Sequence, residues 1–213
     1  KTTRAVAELL HLAGVKFAVL GQSETCCGDA ARRAGNEATY QGLAVQNIET
    51  FAEYGVNKIV VTCAHCLNSL GREYGQLGAG YQVEHHTVVL NRLIREGRLN
   101  VVAPPEAERT PITYHDPCYL GRHNGEYDAP RALLASLPQA ELVEMDHHGA
   151  ESMCCGGGGA RMWAEESLGT RISASRLDEA QAVGAATVAT ACPFCSIMLG
   201  DAAAGRADAP AVT

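Results

Sequence analysis

Eight of the nine cysteines in this chain fall into a pattern that occurs twice. A Cys-Cys-Gly triplet at residues 26–28, and again at 154–156, is followed by a Cys-x-x-Cys motif that begins at Cys63 and at Cys192. The intervening segments have 35 and 36 residues, and the ninth cysteine, Cys118, lies 36 positions before Cys154. Thiolates are ligands for soft metals, and the pattern predicts a metal site in each half of the chain.

The adjacent cysteine pairs favour iron and sulfide as the bound group. The glycines that follow them, Gly28 and Gly156, leave the backbone room to approach inorganic sulfide and to donate N–H bonds to it. The expected ligands of the second half are Cys118, Cys154, Cys155, Cys192 and Cys195, and those of the first half are Cys26, Cys27, Cys63 and Cys66. The C-x2-C-x2-C spacing of ordinary ferredoxins is absent from the sequence, so the pattern does not indicate a standard cubane motif.

Two other uses of the cysteines are weaker explanations. Disulfides are disfavoured because the number of cysteines is odd and adjacent cysteines rarely adopt the geometry of a disulfide bond. A chain of 213 residues is also large enough to be stable without disulfides. Zinc stays open as an alternative because four thiolates make a structural zinc site. Each half, however, has one Cys-x-x-Cys motif rather than two, and five thiols in the second half exceed the usual four ligands of zinc.

The composition indicates a compact α/β protein. Hydrophobic residues make up 46% of the chain, aromatic residues 5%, and there are 22 glycines. The net charge is −7 and the sequence has no block of like charges, so no nucleic-acid partner is expected. No apolar run approaches the ~18 residues of a membrane span, so we expect this segment to be soluble. The chain begins at Lys1 rather than Met, and we expect it to be a piece of a longer protein.

The order of predicted elements also repeats. In the first half we expect a helix over 3–13, a strand over 15–20, a long helix over 30–54, a strand over 58–62 and a short helix over 67–74. A connecting segment over 83–107 contains a helix with Leu90, Leu93 and Ile94 on one side. In the second half we expect a strand over 111–114, a helix over 129–137, a strand over 141–145, a long helix over 161–183 and a strand over 187–190.

These elements predict an α/β fold that is duplicated, with two pseudo-symmetric lobes and mostly parallel sheets flanked by helices. The lobes are expected at residues 1–103 and 104–213, with Pro104 and Pro105 at the boundary. The spacing of Cys118 from Cys154 places its first-lobe counterpart about ten residues before Lys1. The first lobe is therefore expected to lack its opening strand and one ligand in this chain.

Several other residues near the motifs are candidates for supporting roles. His115 and Asp116 are candidates for hydrogen bonding or proton delivery at the cluster, or else belong to a turn at the end of a strand with a satisfied histidine. Arg161, together with Arg32, Arg33 and Arg122, is expected either to offset thiolate charge or to lie in solvent. Trp163 is expected to pack in the core beside the cluster, with a role in electron transfer as the alternative. The pairs His85–His86 and His147–His148 are expected to have surface or packing roles. The glycines after Cys155 lack the G-x-x-x-x-G-K-[ST] pattern of a phosphate loop.

Four segments carry a resemblance to a known family: residues 24–29 (ETCCGD), 32–37 (RRAGNE), 114–122 (YHDPCYLGR) and 154–163 (CCGGGGARMW). Here the chain resembles the cysteine-rich CCG-domain family over nearly all of its length. Members include heterodisulfide reductase subunits and iron–sulfur subunits of glycolate, lactate and glycerol-3-phosphate oxidation. The finer matches are similar to the C-terminal part of membrane-bound iron–sulfur reductases that pass electrons from an electron-transfer flavoprotein to menaquinone.

The resemblance implies an iron–sulfur electron-transfer module of an oxidoreductase. It implies a [4Fe–4S] cluster in the second lobe, and this cluster would be noncubane if it resembles that of the heterodisulfide reductases. It implies another cluster in the first lobe if the upstream cysteine is present. It also implies a flavoprotein and a cytochrome-b-like quinone region as partners. From their positions beside the cysteine motifs, Gly28, Gly156, His115 and Arg161 are the expected cluster-contacting residues. The longer protein would act at the cytoplasmic side of the cell membrane. Catalytic disulfide reduction and a structural zinc module remain the alternatives.

Overall fold

The computed structural model describes residues 2–102 and 108–213. The chain divides into two compact units, the first ending at Leu99 and the second beginning at Asn100. The boundary predicted at Pro104 and Pro105 lies outside the described residues.

The first unit is built from helices around a short parallel sheet. Its elements are α1 (Thr2–Leu12), α2 (Asp29–Arg33), α3 (Glu37–Glu53), β1 (Lys58–Val61), α4 (Ala64–Gly71), β2 (Gln82–His85) and α5 (His86–Arg95). Strands β1 and β2 pair in parallel, with Lys58 opposite Gln82 and Val61 opposite His85. The core contains Tyr40, Ala44 and Phe51 of α3, together with Val61.

The second unit has a larger parallel sheet. Its elements are β3 (Thr110–His115), α6 (Asp128–Ala135), β4 (Ala140–Leu142), α7 (Ile172–Ala182), β5 (Thr187–Thr190), α8 (Pro193–Ala203) and β6 (Ala211–Val212). The strand order is β4-β3-β5-β6, and the pairings are parallel. The core of this unit includes Met145, Leu177, Val188 and Leu199. The α/β fold with parallel sheets flanked by helices, predicted from the repeated element order, is confirmed.

Each Cys-x-x-Cys motif lies where a strand of a parallel sheet is followed by a helix. Cys63 follows β1 and is the N-cap of α4, and Cys192 follows β5 and is the N-cap of α8. Both N-cap residues have extended backbones, so the second cysteine of each motif lies in the first turn of its helix. Because the free N–H groups of a helix N-terminus favour negative charge, this placement stabilises thiolates.

One predicted strand, over residues 15–20, is wrong. These residues form no strand although the equivalent segment of the second unit contains β4. In the second unit, β4 pairs with β3, and β3 also pairs with β5. The described part of the first unit contains no strand equivalent to β3, so residues 15–20 have no backbone partner with which to form a ladder.

The two long predicted helices are also corrected. Residues 30–54 form α2 and α3, separated at Gly35, whose φ is +82°, and Asn36 accepts a hydrogen bond from the N–H of Thr39 as the N-cap of α3. In residues 161–183 only α7 is an α-helix, because Gly169 has a φ value of +66° that a right-handed helix does not allow. The helix predicted over 67–74 begins earlier, at Ala64.

Candidate metal centres

The five cysteines of the second unit lie in one chain of thiol contacts. The order follows from their hydrogen bonds: Cys118 contacts Cys154, Cys154 contacts Cys155, Cys155 contacts Cys195, and Cys195 contacts Cys192. Three different segments supply these thiols, namely the turn after β3, the CCG loop and the start of α8. The fold therefore brings together the five residues that the sequence pattern predicted as ligands.

The first unit makes a shorter chain of the same kind. Cys26 contacts Cys27, Cys27 contacts Cys66, and Cys66 contacts Cys63. The Sγ atoms of Cys27 and Cys66 are 3.4 Å apart, although 39 positions separate the two residues in sequence. The first unit therefore gathers four thiols at one place, between the CCG loop and the start of α4.

The glycine of each CCG triplet shapes the loop around the thiols. Gly28 and Gly156 have φ values of +81° and +86°, in the left-handed region where a side chain is strained. Their backbone N–H groups donate hydrogen bonds to the sulfur of the cysteine two positions earlier, at 3.4 Å to Cys26 and 3.2 Å to Cys154. The glycines thus direct N–H donors at cysteine sulfur, and their donation to an inorganic sulfide stays a prediction.

We expect Gly156→Ala to lower the cluster content of the second unit and to destabilise that unit by about 1–2 kcal/mol. A methyl group at Gly156 would add backbone strain and would lie 3.2 Å from Cβ of Ile172. Iron content and thermal unfolding of the purified variant measure the two effects. Gly158→Ala is the matched control, because an added Cβ there meets open space and its φ is not positive. Equal losses in both variants would contradict this account of Gly156.

The thiols of each chain of contacts perturb one another's ionisation. Hydrogen bonds from Cys26 and Cys66 lower the pKa of Cys27 to about 4. Hydrogen bonds from Cys118 and Cys155, assisted by the N–H of Gly156, lower the pKa of Cys154 to about 2. The hydrogen bond to Cys154 raises the pKa of Cys118 well above its ordinary value. One thiolate in each unit is therefore stabilised by neighbouring thiols, and further thiolates need a cationic group among them.

The donor set fits an iron–sulfur group better than zinc. Tetrahedral zinc sites take four ligands, whereas the second unit offers five thiols in continuous contact. Backbone N–H groups aimed at sulfur and a helix N-terminus at the Cys-x-x-Cys motif suit a cluster whose thiolates and sulfides bear negative charge. The residues that would hold such a group in the second unit are Cys118, Cys154, Cys155, Cys192 and Cys195.

His115 lies against these thiols at the end of β3. One of its ring nitrogens lies within 4.8 Å of Sγ of both Cys155 and Cys195. Burial, together with the nearby charge of Arg176, lowers the pKa of His115 to about 3, so its ring is neutral. The guanidinium of Arg176 on α7 donates from Nε to Nδ1 of His115 at 3.1 Å. Sequence reasoning missed Arg176, because a single arginine in a helix of mixed composition is expected to face solvent.

A buried ion-pair network holds the turn that bears Cys118. Asp116 is 4% exposed, and its two carboxylate oxygens accept hydrogen bonds from Arg131 of α6 at 2.6 and 2.8 Å. Arg131 also pairs with Glu144, and the N–H of Gly149 donates to Asp116 at 2.8 Å. This network ties α6 and the segment before the CCG loop to the end of β3, and so fixes the position of Cys118.

The first unit has a different network beside its thiols. Asp29, directly after Gly28, is buried and contacts Nδ1 of His65 at 2.6 Å. Arg33 donates to Asp29 at 3.0 Å and also pairs with Glu73. Hydrogen bonds from His65 and Arg33 outweigh the effect of burial and lower the pKa of Asp29. The position of His65 inside the Cys-x-x-Cys motif is the sequence signal that could have indicated this polar network.

Other predicted residues have peripheral positions. Arg161 lies exposed and bonds Glu166 at 2.5 Å, so its contact with a cluster stays a proposal. The prediction that Trp163 packs in the core is wrong: it is 63% exposed, with an edge-to-face contact to Phe194. Its 3-10 turn follows Ala160, whose φ is +64°. Arg32 and Arg33 form ion pairs, and Arg122 donates hydrogen bonds to the carbonyls of Ala150 and Ser152. The rings of His85 and His86 are buried and pack against each other, and Nδ1 of His147 contacts the carboxylate of Glu179.

The fold and the two groups of gathered thiols define a duplicated cysteine-rich α/β module. The family model of the cysteine-rich CCG domain matches residues 1–71 and 112–200. The chain belongs to this family of cysteine-rich domains.

Named relatives place this module in redox proteins. The chain is 43% identical over 204 residues to the EtfAB:quinone oxidoreductase of Syntrophomonas wolfei, covering 92% of this chain and 28% of that protein. It is 44% identical over 201 residues to the probable iron–sulfur-binding oxidoreductase FadF of Bacillus subtilis, covering 94% and 28%. It is 35% identical over 203 residues to one polypeptide of the dihydromethanophenazine:CoB–CoM heterodisulfide reductase of Methanosarcina barkeri, covering 92% and 49%.

These comparisons confirm the prediction of an iron–sulfur module of an oxidoreductase. The chain spans 28% of the length of the first two relatives and 49% of the third. Within the described residues, no helix has the length and apolar character needed to cross a membrane.

Proposed function

We propose that this chain is the electron-carrying part of a longer oxidoreductase that passes electrons from a flavoprotein toward a quinone. The observation that carries the proposal is the continuous contact of five thiols in the second unit, which suits a redox cluster. The name of the Syntrophomonas relative supports an electron-transfer flavoprotein as donor and a quinone as acceptor. A bound cluster supplies reversible one-electron storage, and the protein sets its ligands and surroundings.

The proposed cofactor is a [4Fe–4S] cluster in the second unit, with a noncubane form as the alternative to a cubane. A second cluster is proposed in the first unit where a fifth thiol, expected about ten residues before Lys1, joins Cys26, Cys27, Cys63 and Cys66. A probable membrane-anchored ferredoxin of Chromohalobacter salexigens, 46% identical over 204 residues, supports attachment of the longer protein to a membrane. We propose a cytochrome-b-like region of the same protein as the quinone-linked partner, on the cytoplasmic side.

Direct reduction tests the proposed donor. The anaerobically purified, oxidised chain is mixed with reduced electron-transfer flavoprotein, and the visible absorption of the cluster is followed in time. The proposal expects the cluster to bleach as the flavin is oxidised, with a yield that rises with flavoprotein concentration. Equal bleaching by reduced free flavin alone would remove the flavoprotein as a specific donor.

Catalytic disulfide reduction is a second candidate function. It is favoured by an asymmetry of exposure: Cys118 and Cys154 are partly exposed, whereas Cys155, Cys192 and Cys195 are buried. A cluster held by all five would therefore be reached by a substrate from the side of Cys118 and Cys154. Release of two thiols per organic disulfide added to an excess of the pre-reduced chain, with the two electrons drawn from two one-electron clusters and two protons taken from water, would favour this function over a relay.

A further inference from the structure

Arg176 is the residue with the most unusual surroundings near the second-unit thiols. Its side chain is 1% exposed, and its guanidinium donates to four different acceptors. These are Nδ1 of His115 at 3.1 Å, the carboxylate of Glu179 at 2.5 Å, the carbonyl of His147 at 2.8 Å and Oγ of Ser152 at 3.3 Å. Burying a guanidinium costs several kcal/mol unless such bonds compensate for its lost hydration.

The bond to His115 determines where that histidine carries its proton. A guanidinium only donates hydrogen bonds, so Nδ1 of His115 must accept with its lone pair. The neutral ring then carries its proton on Nε2, the nitrogen left for any contact with sulfur. A protonated Nε2 has no lone pair for a metal, so the ring acts as an N–H donor rather than as a ligand.

The same helix position serves the first unit with a different side chain. Asn47 on α3 lies 16 positions before Cys63, as Arg176 lies 16 positions before Cys192. Asn47 is buried, donates to the carbonyl of Cys26 at 2.9 Å and accepts from the hydroxyl of Thr25 at 2.9 Å. Both side chains thus brace the residues before or within the CCG loop, but only Arg176 adds a positive charge and a bond to a histidine.

We propose that Arg176 is a positioning residue of the second-unit site, which fixes His115 with its proton on Nε2 and makes it a hydrogen-bond donor to the sulfur atoms gathered there. This inference rests on the proposed iron–sulfur function. Reduction adds one electron and no atom, so negative charge on sulfur increases. Donation from His115 and the buried charge of Arg176 both stabilise the reduced form. The carboxylate of Glu179 offsets the positive charge of Arg176. A variant that removes both side-chain charges therefore separates the effect of charge from the effect of holding His115.

The proton position is measured on the unmutated chain. Nitrogen-15 NMR of histidine-labelled, anaerobically purified and oxidised protein distinguishes the two neutral tautomers. The proposal expects the His115 proton on Nε2. A proton on Nδ1 would overturn it, and this readout holds whatever metal the site contains, so a failed iron–sulfur assignment is recognised separately.

Reduction potentials of variants test the consequence. Arg176→Gln is expected to lower the second-unit potential by at least about 59 mV, a tenfold change in the one-electron equilibrium. The double variant Arg176→Gln/Glu179→Gln removes both charges, and its potential is expected to stay below that of the unmutated chain because His115 is no longer held. Arg176→Lys is expected to recover part of the lost potential. Arg206→Gln, which removes an arginine paired with Asp178 at the surface, is the control and should leave the potential unchanged.

An unchanged potential in Arg176→Gln, or an equal shift in Arg206→Gln, would overturn the proposal. A role confined to bracing the fold would lower the stability of Arg176→Gln without moving the potential, and that result would also overturn it. If Arg176→Gln fails to fold, the tautomer measurement on the unmutated chain still decides the matter.

Discussion

Replacing Cys155 with serine should abolish the cluster of the second unit. Cys155 is the central link of its thiol chain, since it contacts Cys154 on one side and Cys195 on the other. It is 5% exposed, so the serine hydroxyl would take the place of a soft ligand in a buried site. We expect the visible absorption and the iron of the second-unit site to be lost in full, measured on protein purified without oxygen.

The matched control is Cys27→Ser, because Cys27 holds the equivalent position in the first unit and is also buried. That variant should leave the second-unit absorption intact. Circular dichroism of both variants shows whether the fold persists. A Cys155→Ser protein that is folded and keeps an unchanged visible spectrum would remove the second-unit assignment.

Replacing Arg131 with methionine should be strongly destabilising. The change keeps most of the aliphatic length of Arg131 but leaves the carboxylate of Asp116, 4% exposed, without its bidentate cation. Breaking a buried ion pair by removing one partner costs several kcal/mol, and about 3 kcal/mol is expected here. Urea unfolding followed by the fluorescence of Trp163, the single tryptophan and a residue of the second unit, measures the loss.

Arg206→Met provides the comparison, because Arg206 pairs with the exposed Asp178 at 2.5 Å. Exposed pairs contribute about 0–1 kcal/mol, so this variant should unfold close to the unmutated protein. The loss of the Arg131 contact should also reduce iron content, since Asp116 lies two positions before Cys118. A shift of less than about 1 kcal/mol for Arg131→Met would show that the network does not hold this turn.

The sequence was sufficient to predict the repeated units and the thiols that meet, because cysteine spacing and short apolar strands are local signals. Strand β1 leading to Cys63 and strand β5 leading to Cys192 were both predicted this way. Residues 15–20 show the limit of that reasoning. Their apolar run resembles a strand, but a strand exists only with a hydrogen-bonding neighbour, and none occurs in the described part of the first unit.

The supporting polar residues were harder to predict because their roles depend on contacts distant in sequence. Arg176 reaches His115 across 61 positions, and Asp29 reaches His65 across 36. Helical periodicity places such side chains on a face but does not say which partner they meet. Trp163 illustrates the converse case, since its hydrophobicity favoured the core although the side chain is 63% exposed.

The central claim is that the thiol chains hold iron and sulfide, and analysis of bound metals tests it most directly. Iron, zinc and acid-labile sulfide are measured per chain after anaerobic purification. The account predicts iron and sulfide in equal amounts, about four of each per filled site, with the second unit filled. Zinc without sulfide would contradict the account and leave a structural metal module in its place.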